Sequence, residues 1–391
     1  MSYLLGNYKL EVLRSITDVA PSEWDACLPR TSEQPGTPFI QHSFMKALET
    51  SHSAMAETGW LPYHLILRDL NKDLIAACPL YLKNHSQGEY VFDQNWAHAF
   101  ERAGGRYYPK LQCAIPFSPI TGPRLLSSES AKDFGDHRAA LAQGLIKITK
   151  ELKLSSSHVT FCTKTDAAIL QNQGFLIRND TQFYWENKNY NNFEDFLGDL
   201  TSRKRKNIRK ERRSLIESGI STRSLTGKEI GSQHWDVFFE FYVNTYDRKW
   251  GYPYLTREFF SQLSKTMADQ VLLVLAYREK KPIAGAINFF DDDALYGRNW
   301  GCSEEHKYLH FETCYYAAID FAIKRNLKRV EAGTQGSHKL QRGYVPHTTY
   351  SAHWIEDKNF RKAIAKFLKE ESIFQTHATS ALSEMIPFRK G

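Results

Sequence analysis

Val271-Leu-Leu-Val-Leu-Ala-Tyr277 and Pro282-Ile-Ala-Gly-Ala-Ile-Asn-Phe-Phe290, separated by the polar Glu279-Lys280-Lys281, read as two neighbouring strands joined by a tight turn. Outward from them, residues 294–301 give a third strand. Residues 310–325 give a helix buried through Phe311, Cys314, Tyr315, Ala318 and Phe321, and residues 329–332 a fourth strand. On the other side, residues 238–250 and 257–267 read as helices, and Phe193, Phe196, Leu197 and Leu200 have helical spacing. Thr201-Ser202 can cap a strongly basic helix over 202–218, which Gly219 ends.

The first half repeats this order. Residues 63–68 and 74–82 read as strands around a turn at 71–73. Residues 134–152 form a helix with Leu141, Leu145 and Ile148 on one stripe, residues 158–162 a strand, and residues 167–173 a short helix closed by Gly174. Residues 84–124 hold many Gly, Pro and aromatic residues with little periodicity, the mark of a functional segment or an insertion. Two halves of like order predict an α/β fold and an internal structural duplication, although no sequence identity links them. The polar stretch 186–192 is the natural boundary, giving domains 1–190 and 191–391, the second carrying the basic helix and the candidate site.

At 391 residues the chain exceeds what one core usually organises, and 42% hydrophobic with 13% aromatic residues excludes a largely disordered protein. Cys27, Cys78, Cys113, Cys162, Cys302 and Cys314 include no C-x-x-C pair and are too dilute for a disulfide framework, so reduced thiols are expected. No apolar run approaches the ~18 residues of a spanning helix, and the first residues lack the basic and apolar regions of a signal peptide. A cytoplasmic location is the expectation.

The net charge is +7, and it is local. Arg203, Lys204, Arg205, Lys206, Arg209, Lys210, Arg212 and Arg213 share their stretch with one acid, Glu211, and outside it acids and bases balance. A solvated helix normally mixes signs for i, i+4 support. This one points to a single anionic partner whose phosphate is carried by RNA, a nucleotide sugar or anionic lipid, with Arg203, Lys206, Lys210 and Arg213 as its contacts.

There is no G-x-S-x-G elbow, no G-x-G-x-x-G and no P-loop. His306 and His310 have the spacing of two metal ligands, but no glutamate stands between them, and two polar residues at a helix start is the plainer reading; no metal site is expected. The densest chemistry lies in Glu331-Ala-Gly-Thr-Gln-Gly-Ser-His-Lys339, continuing to Tyr344. Gly333 and Gly336 permit a sharp turn, so Glu331, Gln335, His338, Lys339, Arg342 and Tyr344 can converge at a strand end. An acid, an imidazole, an amide and cations suit acyl transfer to an amine. Glu331 or His338 would accept the ammonium proton, and Lys339 and Arg342 would hold the oxyanion. Tyr296-Gly-Arg298-Asn-Trp300-Gly adds an arginine among aromatics, able to clamp a carboxylate or phosphate.

The stretches 39–59, 102–122, 203–213, 296–316 and 331–353, above all Glu331 to Tyr344, resemble a bacterial family of FemAB-like N-acyltransferases related to the Fem peptidyltransferases. The resemblance implies two tandem acetyltransferase-type (GNAT-like) domains with mixed central sheets. It also implies transfer of an acyl or aminoacyl group to the amine of a peptidoglycan-precursor-like acceptor whose phosphates are held by basic residues. The donor would be aminoacyl-tRNA, making tRNA a partner, or acyl-CoA, with no permanently bound cofactor. One departure bears on this choice. Cys302-Ser-Glu-Glu-His-Lys-Tyr-Leu309 has two acids and no glycine where a GNAT enzyme wraps pyrophosphate in backbone N–H groups, which disfavours acyl-CoA. The alternatives are an acyl-CoA-dependent N-acetyltransferase and a non-catalytic protein that binds RNA or anionic lipid, with peripheral contact to an anionic membrane.

Overall fold

The computed structural model describes residues 2–29, 37–128, 134–248, 251–333 and 337–389. Its contacts separate two units, Met1–Asp180 with Thr349–Thr376, and Thr181–Thr348 with His377–Gly391. The first division thus falls inside the strand Leu176–Glu186, short of the polar stretch 186–192. Residues 349–376 rejoin the first unit for two reasons. Tyr350 to Ile355 pair antiparallel with Ser156–Cys162, and the helix Lys358–Glu384 buries Ile364 and Leu368 beside Trp96, Ala97 and Tyr107.

In the first unit, five antiparallel strands run in the order Ser2–Leu5, Tyr8–Leu13, His64–Arg68, Leu74–Cys78, Leu126–Ser127. A second, mixed set places Ser156–Cys162 beside Lys110–Cys113 in parallel, followed by Leu80–Lys83 and Trp60–Pro62. Leu141, Leu145 and Ile148 of the helix Phe134–Glu151 fill the core with Leu10, Leu65, Leu67 and Val159. The single strand expected over 74–82 is two, parted at Pro79, which has no N–H to give a ladder. The unpatterned segment 84–124 contains the helix Gln94–Arg102 and the strand Lys110–Cys113.

The second unit is a mixed sheet. Ile220–Thr226, Val271–Arg278, Lys281–Phe290 and Ala294–Cys302 are antiparallel neighbours; Arg329–Glu331 then joins in parallel, and Tyr184 to Glu186 pair antiparallel with it. Leu272, Val274, Ala286, Leu295 and Val330 face one core with Phe196, Ile208, Tyr316, Ile319 and Ala322. Against the other face lies the helix Ser232–Arg248, close enough that a side chain at Gly301 would meet the Phe241 carbonyl at 1.9 Å. Glycine is therefore required there.

The helix expected over 310–325 is interrupted. Leu309–Phe311 opens it, Glu312–Tyr316 is a π turn, and Ala317–Lys324 resumes the α geometry. All six cysteines are free. Among the described residues no helix is long and apolar enough to cross a membrane.

Candidate functional site

The site of the second unit begins with a mismatch in strand length. Ala294, Leu295 and Tyr296 pair with Arg329, Val330 and Glu331, but there the shorter strand stops, while its neighbour continues to Cys302. Past Tyr296 the two diverge, leaving Gly297 to Trp300 half-buried along an edge no longer paired with Arg329–Glu331. On its other side this strand carries a bulge: Asn288 faces Gly297 and Ala286 faces Trp300, so Arg298 and Asn299 stand opposite one residue. Bulges re-aim side chains and recur beside active sites.

The π turn supplies the opposite wall. Trp300 Nε1 donates to Thr313 Oγ1 at 2.8 Å, and its ring meets His310 edge-on at 5.0 Å. One extra residue per turn brings Phe311 and Tyr315 to His338, whose Nε2 lies 2.9 Å from the Tyr315 hydroxyl. Burial, with Arg342 and Lys339 nearby, lowers the His338 pKa below the usual imidazole value, so the ring is neutral at pH 7. His338 is half-buried and can reach a ligand.

The other residues singled out from the sequence sit elsewhere in this neighbourhood. Glu331 is only 2% exposed and accepts from Arg329 Nε at 2.8 Å; burial raises its pKa, Arg329 partly offsetting this. Lys339 is buried, and its Nζ donates to the carbonyls of Ala332 at 2.6 Å and Gly333 at 3.0 Å, tying down the end of the short strand. Burial brings its pKa down to about 8. Arg342 is a junction. It pairs with both oxygens of Glu211, donates to the Tyr316 hydroxyl at 3.0 Å and to the His338 carbonyl at 2.8 Å, and lies 3.4 Å over the Phe311 ring. Tyr344 is fully buried against Tyr315. Gln335 lies outside the described residues.

The basic helix, Ser202–Glu217, is anchored by Ile208 and Leu215, by Glu211 on Arg342, and by Arg212 on Glu312 and Asp320. Glu211, the one acid among its eight bases, is thus a tether to the His338 turn. Arg203, Lys206, Lys210 and Arg213 are exposed on the opposite side. Arg212, Lys228, Lys324 and Arg325 line a groove of about 620 Å³ between the strand Ile220–Thr226 and the helix Ala317–Lys324, together with the acids Glu229, Asp269, Glu312 and Asp320. In the segment before the interrupted helix, Glu304 pairs with Arg278 and His306, and Glu305 with Arg248.

The first unit holds a buried cluster that sequence spacing did not reveal. Lys110 Nζ lies 2.5 Å from Asp93 and 2.7 Å from Glu89; Tyr107 donates to Asp93 at 2.7 Å. His158 Nδ1 and His353 Nδ1 are 2.7 Å apart, and His158 Nε2 is 2.8 Å from Ser156 Oγ. Burial lowers Lys83 to about 7 and raises Glu89 to about 7; it lowers His158 to about 3, helped by Lys110. Burial would also lower Lys110, but Glu89 and Asp93 outweigh it and hold it at about 12. Lys110, Tyr107, Glu89 and Asp93 all fall in the unpatterned segment 84–124, where no periodicity marks which side chains meet, and His158 and His353 join them from far along the chain.

No curated protein matches the sequence. Among solved structures, FemX superposes with a TM-score of 0.53 at 11% identity, over 91% of this chain and 100% of its own. L-PGS from Bacillus licheniformis gives 0.47 at 8% identity, over 88% and 96%. A tandem GNAT protein from the clavulanic acid biosynthesis pathway gives 0.46 at 10% identity, over 89% and 98%. The fold is that of two GNAT-like domains in tandem. The FemAB-like family model, described as peptidoglycan biosynthesis/recognition, matches residues 15–390, and the chain belongs to that family.

Proposed function

We propose that the protein is an N-acyltransferase that acts on an amine of a cell-wall precursor, the second unit carrying the chemistry. The observation that carries this reading is the wedge past Tyr296 and Glu331. There a bulged strand edge, Gly297 to Trp300, faces the His338–Tyr315 pair. A strand edge can hydrogen-bond the amide backbone of a peptide-like ligand. The neutral His338 is suited to take the proton that the attacking amine must lose. In the step, the amine nitrogen bonds to the acyl carbonyl carbon, one N–H proton passes to His338, and the bond to the donor's oxygen or sulfur breaks. The departing atom then collects the proton. Burial raises the Tyr315 pKa, so its hydroxyl stays protonated; in the tautomer whose His338 Nε2–H donates to that hydroxyl, the Tyr315 proton turns to the developing oxyanion and Nδ1 is the base. Arg298, beside this edge, would hold a carboxylate or phosphate of the substrate.

His338 is favoured over Glu331 as the base, since Glu331 is enclosed and already paired with Arg329. Lys339 and Arg342 shape the turn through backbone carbonyls and Glu211, and so position His338. Arg203, Lys206, Lys210 and Arg213, unpaired among the described residues, offer the acceptor's phosphates a cationic face. For the donor, an aminoacyl ester fits better than acyl-CoA, because Cys302 to Leu309 has no glycine with which to wrap a pyrophosphate in backbone N–H groups. The test is mass spectrometry of peptidoglycan-precursor peptides incubated with charged tRNA or with acyl-CoA. A mass gain on the peptide amine with charged tRNA supports the reading. A gain with acyl-CoA alone makes the protein an acetyltransferase, and no gain with either removes the enzymatic reading.

A further inference from the structure

The helix Lys358–Glu384 is fully buried only at Ile364 and Leu368, and in the first unit the remainder of its circumference carries a patterned surface. Lys358, Lys362, Lys366 and Lys369, at i, i+4, i+8 and i+11, make one exposed stripe, and none of them is ion-paired among the described residues. Ile373, 57% exposed, lies along the same stripe. About 130° round the helix from the centre of the lysine stripe, past the exposed Glu370, are Phe367 and Phe374, 45% and 71% exposed. Phe92, 66% exposed, joins them: its carbonyl accepts from Arg178 at 2.8 Å, and the same guanidinium pairs with Glu371 at 2.7 and 2.9 Å, on the Phe367 and Phe374 side of the helix. Between Lys358 and Phe374 there are two acids, Glu370 and Glu371, and among the described residues only Glu370 has no ion pair.

Large apolar side chains held in water beside a one-sign charge stripe mark a surface made for a partner. We propose that this face of the helix, with Phe92, seats the protein on an anionic lipid bilayer. The lysines meet phosphate headgroups, and the phenylalanines and Ile373 enter the apolar layer just beneath. Charge complementarity alone would also fit RNA. However, RNA has no apolar layer for Ile373, and the basic helix Ser202–Glu217 has no exposed aromatic ring to set beside its cations. The inference goes beyond the transferase reading and does not depend on it.

Co-sedimentation of the full chain with vesicles tests it. Wild type should pellet with phosphatidylcholine vesicles containing roughly 30% phosphatidylglycerol, release on raising the salt, and stay in solution with pure phosphatidylcholine. Replacing Lys358, Lys362, Lys366 and Lys369 with Ser should weaken binding by about tenfold or more. The pair Phe367→Ser and Phe374→Ser should weaken it several-fold, with the far-ultraviolet spectrum and melting midpoint unchanged in both variants. Serine at Arg203, Lys206, Lys210 and Arg213 should leave vesicle binding intact. The proposal is overturned by a wild type that ignores phosphatidylglycerol, by full binding in both helix variants, or by tighter binding to a single-stranded RNA oligomer than to vesicles. Acyl transfer to a soluble amine, measured in the Lys358/Lys362/Lys366/Lys369 and Phe367/Phe374 variants, is expected to be unaffected, so the two readings fail separately.

Discussion

The two units put similar side chains to opposite uses. In the first, Lys83, Lys110, Glu89, Asp93, His158 and His353 are sealed from solvent, and each cation faces an acid, a carbonyl or a ring. In the second, His338, Arg298 and Trp300 stay half-buried where two strands part. A closed polar network specifies a core, because breaking any member leaves a buried charge uncompensated. A network left open on one side keeps capacity for a substrate. A stabilising role fits the sealed cluster, and the proposed transfer chemistry fits the half-buried one.

The sharpest way to break that assignment is at His338. His338→Ala should lower turnover roughly 10²- to 10⁴-fold, as loss of a general base does, with the melting midpoint nearly unchanged. The pH profile checks the role: because burial lowers its pKa, wild-type rate should be flat near neutral pH and fall only below the ordinary imidazole value. Should Glu331→Gln cost as much in a folded protein while His338→Ala does not, the base is the carboxylate.

Lys110→Met is the counterpart in the first unit. Asp93 and Glu89 would lose their cation, a change that typically costs about 3–5 kcal/mol, read as a large drop in denaturation midpoint. If stability holds and transfer stops instead, the sealed cluster is part of the catalytic machinery.

A smaller effect comes from acid. His158 and His353 are held neutral in the fold but titrate near 6.5 when unfolded, so the unfolded chain binds more protons below that pH and stability falls as pH drops. Glu89, raised to about 7, works in the opposite direction down to its unfolded pKa, so these three groups together contribute a slope of about one proton, or ~1.4 kcal/mol per pH unit. Equilibrium unfolding between pH 6.5 and 4.5 measures it, and His158→Asn should flatten the slope.

The gentlest test concerns the basic helix. Serine at Arg203, Lys206, Lys210 and Arg213 should flatten the salt dependence of phosphate-ligand binding while leaving thermal unfolding within error. An unchanged salt slope would make that face mere solvated surface.

The sequence was readable where one physical signal dominates. The paired apolar runs at 271–277 and 282–290, the amphipathic 134–152 segment and the basic helix all appear close to where their patterns put them. The strand Val345–Ile355 gave no such signal, because buried polar residues such as His353 and Thr349 break the alternation of apolar side chains. Leu176–Glu186 hid its strand in the same way. At the site, residue types were legible but their duties were not. Lys339 and Arg342 looked like free cations until the carbonyls and the carboxylate they hold came into view.

The π turn at Glu312–Tyr316 has one more consequence. It amounts to a single residue inserted in an otherwise ordinary helix, and so to a change that one deletion could reverse. Removing one residue there would let the helix close its regular ladder and rotate what precedes it by about 100° against Ala317–Lys324. Either Tyr315 would swing from His338 or the buried face would leave its core. A relative of normal length through this helix would therefore have exchanged the Tyr315–His338 pair for some other arrangement, which makes the insertion a marker of chemistry that can be traced through descent.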